Sequence, residues 1–327
     1  MRNMMTAMIT AFMVAILFGT PCFAGKYTLK AGHGAQQGHP TQFGLLKLAE
    51  IVKERSNGEL EIKVFADRQL GEEREMVEGL QFGTVDITVV STGPLGGFVG
   101  EINVLDLPFL FKNREHAYGV FDGPIGDELL AKFDKIGIKG AAIWENGWRH
   151  LTTKKPVSSP ADIKGLKMRT MANEIHIAAF KALGAGPVPM AWGEVYTSLD
   201  QGVIDAQENP ITVIYTNSLW EVQNYVTLTG HVYGPHVALI SKKSLGKLPE
   251  KLQKILVEAI KEASSYQRQV SMKIEEEQSK QLLEKGMKIN PVDLAPFQEG
   301  SRSAYKLFTS KHGDALLNRI ISAGGGE

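Results

Sequence analysis

The order of hydrophobic and polar positions divides the chain into short alternating runs and longer helical stripes. Tyr27 to Ala31 alternates and predicts a first strand, and Thr41 to Arg55 keeps its apolar residues on one helical face. A strand over Glu59 to Phe65, a helix over Glu72 to Phe82 and a buried strand over Val85 to Val90 follow. Helices are predicted around Asn113 to Phe121 and Ile125 to Ile136, and then an apolar strand over Ile138 to Trp144. The same order recurs in smaller form: strand Leu166 to Arg169, helix Asn173 to Leu183, strand Gly186 to Pro189, helix Gly193 to Gln201, strand Val203 to Ala206. Strands Tyr225 to Thr229 and Val237 to Ile240 are predicted on either side of a GHVYGPH loop. One long helix is then expected from Pro249 to about Lys285, with Leu252, Ile255, Leu256, Ala259, Ile260 and Ala263 on one face and Gly286 past its end. Helices alternating with short strands predict an α/β fold with a mostly parallel sheet, in two lobes. A helix of roughly 55 Å exceeds one small lobe and would brace both, which makes the lobes hinged rigid bodies.

The 327 residues are 43% hydrophobic and 22% charged, an ordinary globular composition with room for two domains. Lys plus Arg and Asp plus Glu are 36 each, so no basic excess draws nucleic acid or a membrane surface. Residues 1–24 read as a signal peptide: Arg2 at the start, an apolar core from Met8 to Phe18, a Gly19-Thr20-Pro21 break, and Ala24 where cleavage would fall. The apolar core is short for a membrane helix. The single cysteine, Cys22, lies in the segment to be removed, in a context unlike a lipoprotein processing site, so the mature chain carries no thiol.

Candidate chemistry gathers in Trp144 to Thr170, WENGWRHLTTKKPVSSPADIKGLKMRT. Arg149 follows an apolar run beside Trp148, and Arg169 ends a strand-like run after Gly165, so both are expected to face inward. A buried guanidinium without a carboxylate is costly, and a ligand anion can supply what the protein does not. A structural pair with Glu174 or Asp205 is the alternative for Arg169, and support of the hinge the alternative for Arg149. Loops at strand C-termini add His33, Gln36, Gln37 and His39 from GHGAQQGHP, and Ser91 and Thr92 from STGPLGG. Asn209 of QENP is placed either to cap the next helix or to contact ligand. Trp192 and Trp148 read as packing residues. Gly32, Gly34 and Gly38 miss the dinucleotide fingerprint by one residue. His231, Tyr233 and His236 lack the spacing of a metal site, although Tyr233 and His236 can make polar ligand contacts. No cofactor or metal is expected.

The segments ADRQLGEEREMVEGLQFGTVD, NGWRHLTT, DIKGLKMRT, PVPMAWGEVYTSLDQGVIDAQENP and TGHVYGPH, in this order, resemble the periplasmic solute-binding proteins of tripartite ATP-independent periplasmic (TRAP) transporters, the family of the C4-dicarboxylate and sialic acid binding proteins. The resemblance covers essentially the whole mature chain. It implies a two-lobed periplasmic binding protein fold with hinge strands and a long helix across both lobes. Lobe I would hold 25–146 plus 235–274, and lobe II 147–234 plus 275–327. It also implies that Arg169 pairs with the substrate carboxylate, that Arg149 and Asn209 contact the same anion, and that Trp192 lies over the ligand. His33-Gly34 and Ser91 depart from the sialic acid binders and argue against that sugar.

The expected function is therefore a non-enzymatic periplasmic receptor for a small organic acid: a dicarboxylate, a uronate, a hydroxy or keto acid, or a small sulfonate. It is expected to act as a monomer and to deliver its ligand to TRAP membrane permease subunits. The absence of G-x-S-x-G, H-E-x-x-H and cysteine argues against a secreted enzyme, and a ligand-sensing partner of a membrane kinase would use the same pocket. A bulky ceiling at Trp192 and few acidic residues near the loops favour a small acid over a large sugar.

Overall fold

The computed structural model describes residues 26–324, so the expected signal peptide, with Cys22, lies outside the described residues. Among the described residues nine strands form one sheet: β1 (Tyr27–His33), β2 (Leu60–Phe65), β3 (Ile87–Ser91), β4 (Ile138–Thr153), β5 (Lys167–Thr170), β6 (Gly186–Pro189), β7 (Ala206–Asn209), β8 (Tyr225–Ser241) and β9 (Lys288–Pro291). Their order is β2-β1-β3-β8-β4-β7-β5-β6, with β9 beside β8. The mostly parallel sheet expected from the sequence holds in five of the eight pairings, β8 with β9 included, while the centre of the sheet is antiparallel. β1 runs parallel to β2 and β3, and β5 to β6 and β7, but β8 is antiparallel to β3 and to β4, and β4 is antiparallel to β7.

The antiparallel centre arises because two predicted strands are each half of something longer. β4 continues from Ile138 through Asn146 and Arg149 to Thr153, and β8 runs unbroken through GHVYGPH, which the sequence places in a loop. Glycine and proline read as breakers, yet the pairing absorbs them. Pro235 sits opposite Glu145 where the β4 register shifts between Glu145 and Gly147, a bulge at which a missing N–H is tolerated. Gly147 takes φ +120 there, a conformation suited to a residue without Cβ. These two strands join one half of the molecule to the other.

Side chains on the first half of β4 and on the end of β8 that pairs with it alternate between two cores, as the pleat requires. Ile143, Val237 and Leu239 enter one core, and Ala142, Trp144, Ala238 and Ile240 the other. The long helix, Glu250–Glu284, buries Leu252, Leu256, Ala259, Ile260 and Ala263 in the second of these and Leu282 in a core of the other half with Leu199, Ile214 and Val226. Its 35 residues span about 52 Å, enough to brace both lobes. Helices Ser303–His312 and Ala315–Ala323, assigned to lobe II from the sequence, pack Ala304, Phe308, Leu317 and Ile320 into the core that holds Leu107, Phe121 and Leu129.

Candidate functional site

A cavity of about 210 Å³ lies between the two halves. One wall comes from the ends of β1 and β3 and the start of helix Glu73–Phe82, and presents His33, Ser91, Glu72 and Glu73; the centre of the sheet adds Asn146 and His236. The opposite wall carries Arg169 at the end of β5, Asn209 at the end of β7, and Met190 and Trp192.

Arg169 is 3% exposed. Its Nε and Nη2 donate to the Met190 carbonyl at 3.1 and 2.8 Å, and its guanidinium carbon lies 5.4 Å from the centre of the Trp192 ring. Among the described residues no carboxylate forms an ion pair with it, and its other N–H groups have no protein acceptor. Glu174 pairs with Lys311 and Asp205 accepts from the Lys167 amide, so neither serves as its structural partner. Burial pulls the Arg169 pKa down to about 10, a fall opposed by Glu208 and Glu73 and reinforced by Arg149.

Arg149 is equally buried but differently placed. Its Nε and Nη2 donate to the two carboxylate oxygens of Glu208 at 2.5 and 2.8 Å, and Nη2 also reaches the Glu208 carbonyl at 2.6 Å. The expectation that Arg149 lacks a partner is corrected, because β4 and β7 pair antiparallel and set these side chains together 59 positions apart in sequence. Burial disfavours the Glu208 charge, but Arg149, His176 and His231 outweigh it and hold the carboxyl well below its ordinary range. His176 also lies 3.3 Å from Asp106; burial works against its charge, yet the two carboxylates raise it to about 9. This cluster stands behind the cavity wall, next in sequence to Asn209.

The remaining predicted residues separate cleanly. His33, Ser91, Trp192, Asn209 and His236 line the cavity. Asn209 lies within β7 rather than capping the next helix; its Nδ2 donates to Gln207 Oε1 at 2.6 Å. Gln36 does not reach the cavity: it donates to Asp67 at 3.1 Å and borders a shallow depression at the mouth with Arg68, Tyr196 and Asn217. Tyr233 is also outside, 2% exposed among the rings of Phe111, Phe121 and Trp148.

The reading of few acidic residues near the loops is corrected as well. Glu73 Oε1 accepts from the Ser91 amide at 2.8 Å and from the Ser91 hydroxyl at 2.9 Å, and burial raises its pKa against the pull of those two bonds. Glu72 accepts from the Gly193 amide at 3.2 Å, bridging the two halves at the cavity mouth. An acidic pair opening a helix directly after a glycine turn was a readable sign of a loop-edge carboxylate. Three cavity histidines are neutral at pH 7: burial pushes His33 and His236 down and takes His39 to about 3.

Residues 31–312 match the family described as bacterial extracellular solute-binding protein, family 7. The chain is 39% identical over 271 residues to the 2,3-diketo-L-gulonate-binding periplasmic protein of Escherichia coli, covering 83% of this chain and 82% of that one. A TRAP periplasmic solute-binding protein from Bordetella bronchispeptica, whose crystal structure contains density assigned to pantoate, is 41% identical with a TM-score of 0.88, over 91% of this chain and 99% of that one. One from Polaromonas bound to D-erythronate is 38% identical with a TM-score of 0.89, over 92% and 100%. Among the described residues no helix is long and apolar enough to cross a membrane. With a two-lobed α/β fold, a cavity between its halves and a match along nearly its whole length, the chain belongs to bacterial extracellular solute-binding protein family 7, the periplasmic solute-binding proteins of TRAP transporters.

Proposed function

We propose that the protein is an extracytoplasmic receptor that captures a small organic acid between its lobes and passes it intact to TRAP membrane permease subunits. The observation that carries this reading is Arg169, a buried guanidinium in the cavity wall with free donors and no carboxylate of its own. The acid group would take those donors in a bidentate pair, beside Asn209 and under Trp192. Arg149 contributes from behind the wall, holding Glu208 and through it the position of Asn209. His33, Ser91 and His236 face the rest of the ligand. Closing the lobes would exclude water and strengthen each charged hydrogen bond. The acids named for relatives, diketogulonate, pantoate and D-erythronate, all offer one carboxylate, and a sulfonate would satisfy the same guanidinium. The export signal read in residues 1–24 agrees with a receptor outside the cytoplasm.

The test is calorimetry of the mature protein with a panel of small acids, with the ligand recovered afterwards. Stoichiometric binding of an unchanged acid is expected. Arg169→Met should weaken it by about 2–5 kcal/mol, the usual cost of removing one partner from a buried charge pair, or at least about thirtyfold in dissociation constant. Conversion of the acid, or a loss under threefold in the variant, would overturn the reading.

A further inference from the structure

The cavity wall facing Arg169 holds buried acceptors that make no well-formed hydrogen bond within the protein. His33 Nε2 is 2.7 Å from Gln42 Oε1, so Nε2 carries the ring proton and Nδ1 keeps a lone pair. That Nδ1 is buried without a partner, and Asn146 Oδ1 is buried with no well-formed hydrogen bond, touched by the His39 ring at a geometry too poor to satisfy it. The two residues are 1% and 3% exposed and both line the cavity. Folded proteins leave few buried acceptors unpaired, because each one forfeits its hydrogen bond to water.

Asn146 is held in place rather than left loose. It sits at the β4 bulge between Glu145 and Gly147. The long helix clamps the preceding residue: Gln267 Oε1 accepts from the Glu145 amide at 3.0 Å and Gln267 Nε2 donates to the Glu145 carbonyl at 2.6 Å. Gly147 follows at φ +120. The helix that braces both lobes therefore also fixes an unsatisfied amide oxygen at the hinge end of the cavity.

We infer that the acid held by Arg169 carries hydroxyl groups that donate to Asn146 Oδ1 and His33 Nδ1, which makes the ligand a hydroxylated monocarboxylate rather than a dicarboxylate. A second carboxylate brings only acceptors to a wall that already presents Asn146 Oδ1, His33 Nδ1 and the Glu73 carboxyl. A plain fatty acid leaves both orphans unpaired. The family resemblance, which includes C4-dicarboxylate binders, does not make this choice; the two orphaned acceptors do. The inference rests on the receptor reading above.

Three four-carbon acids test it by calorimetry on the mature protein: D-erythronate, succinate and butyrate, with D-galactonate and pantoate as longer hydroxy acids. At least one hydroxy acid should bind thirtyfold or more tighter than both succinate and butyrate. Asn146→Ala should weaken that acid at least tenfold while changing butyrate less than threefold, with an unchanged melting temperature. Succinate or butyrate binding as tightly as the best hydroxy acid overturns the inference and leaves the receptor reading standing. Equal losses for the hydroxy acid and butyrate in the variant would overturn the role of Asn146. Binding of none of the five acids overturns the inference, and the receptor reading is then decided by the wider panel of acids.

Discussion

The two buried arginines differ in whether the protein neutralises them, and that difference should appear in stability before any ligand is added. In Arg149→Met, Glu208 loses a bidentate partner and a bond to its carbonyl, and is left buried against His176 and His231. Removing one member of such a pair costs about 3–5 kcal/mol. In Arg169→Met the balance runs the other way. The fall of its pKa to about 10 corresponds to about 3 kcal/mol of folding free energy set against the charged form. What the substitution gives up is a pair of bonds to one carbonyl, worth about 1–2 kcal/mol. Urea denaturation of both variants and the parent at pH 7, without ligand, measures the contrast. Arg149→Met should lose about 3–5 kcal/mol, and Arg169→Met should remain within about 1–2 kcal/mol of the parent or exceed it. The reverse order, with Arg169→Met strongly destabilised and Arg149→Met tolerated, would refute the assignment of Arg169 as the arginine that awaits an outside anion.

Acid should destabilise the protein below pH 6.5. His39 and His150 are held at about 3 by burial, so the unfolded chain takes up protons that the folded one refuses, and stability falls as pH drops from 6.5 toward 3, by about 2 kcal/mol per residue at pH 5. His176, raised to about 9, acts with the opposite sign: its contribution is full below pH 6.5 and is lost as pH rises through 9. Urea midpoints from pH 5 to 9 should therefore peak near neutrality, and His150→Gln should flatten the acid side; a parent equally stable at pH 5 and 7 would contradict this. Separately, a Cβ at Gly44 would lie 2.5 Å from Trp144 Cζ3 and 2.9 Å from Gln267, so Gly44→Ala should cost about 1–3 kcal/mol by overpacking, read as a lower urea midpoint.

Local rules carried the reading of this chain as far as local information reaches. The helix Pro40–Arg55, the strand Leu60–Phe65 and the 35-residue brace were readable because each has its own periodicity and punctuation. The family segments that place Arg169, Asn209 and Trp192 were readable for a different reason, since they are sequence patterns rather than consequences of periodicity. What the residues did not disclose is which charges meet. Arg149 and Glu208 each look unpartnered in their own neighbourhood, and only the antiparallel register of β4 against β7 joins them. The same lack of long-range register turned β8 into two strands and a loop, because Gly230, Gly234 and Pro235 are breakers by local propensity and are absorbed only by pairing with a bulged neighbour. That bulge also places Asn146 at the cavity, so the error about the strand and the omission of Asn146 have one cause. A reading that had continued β4 through Asn146 would have brought the amide to the lobe junction and asked what it bonds to.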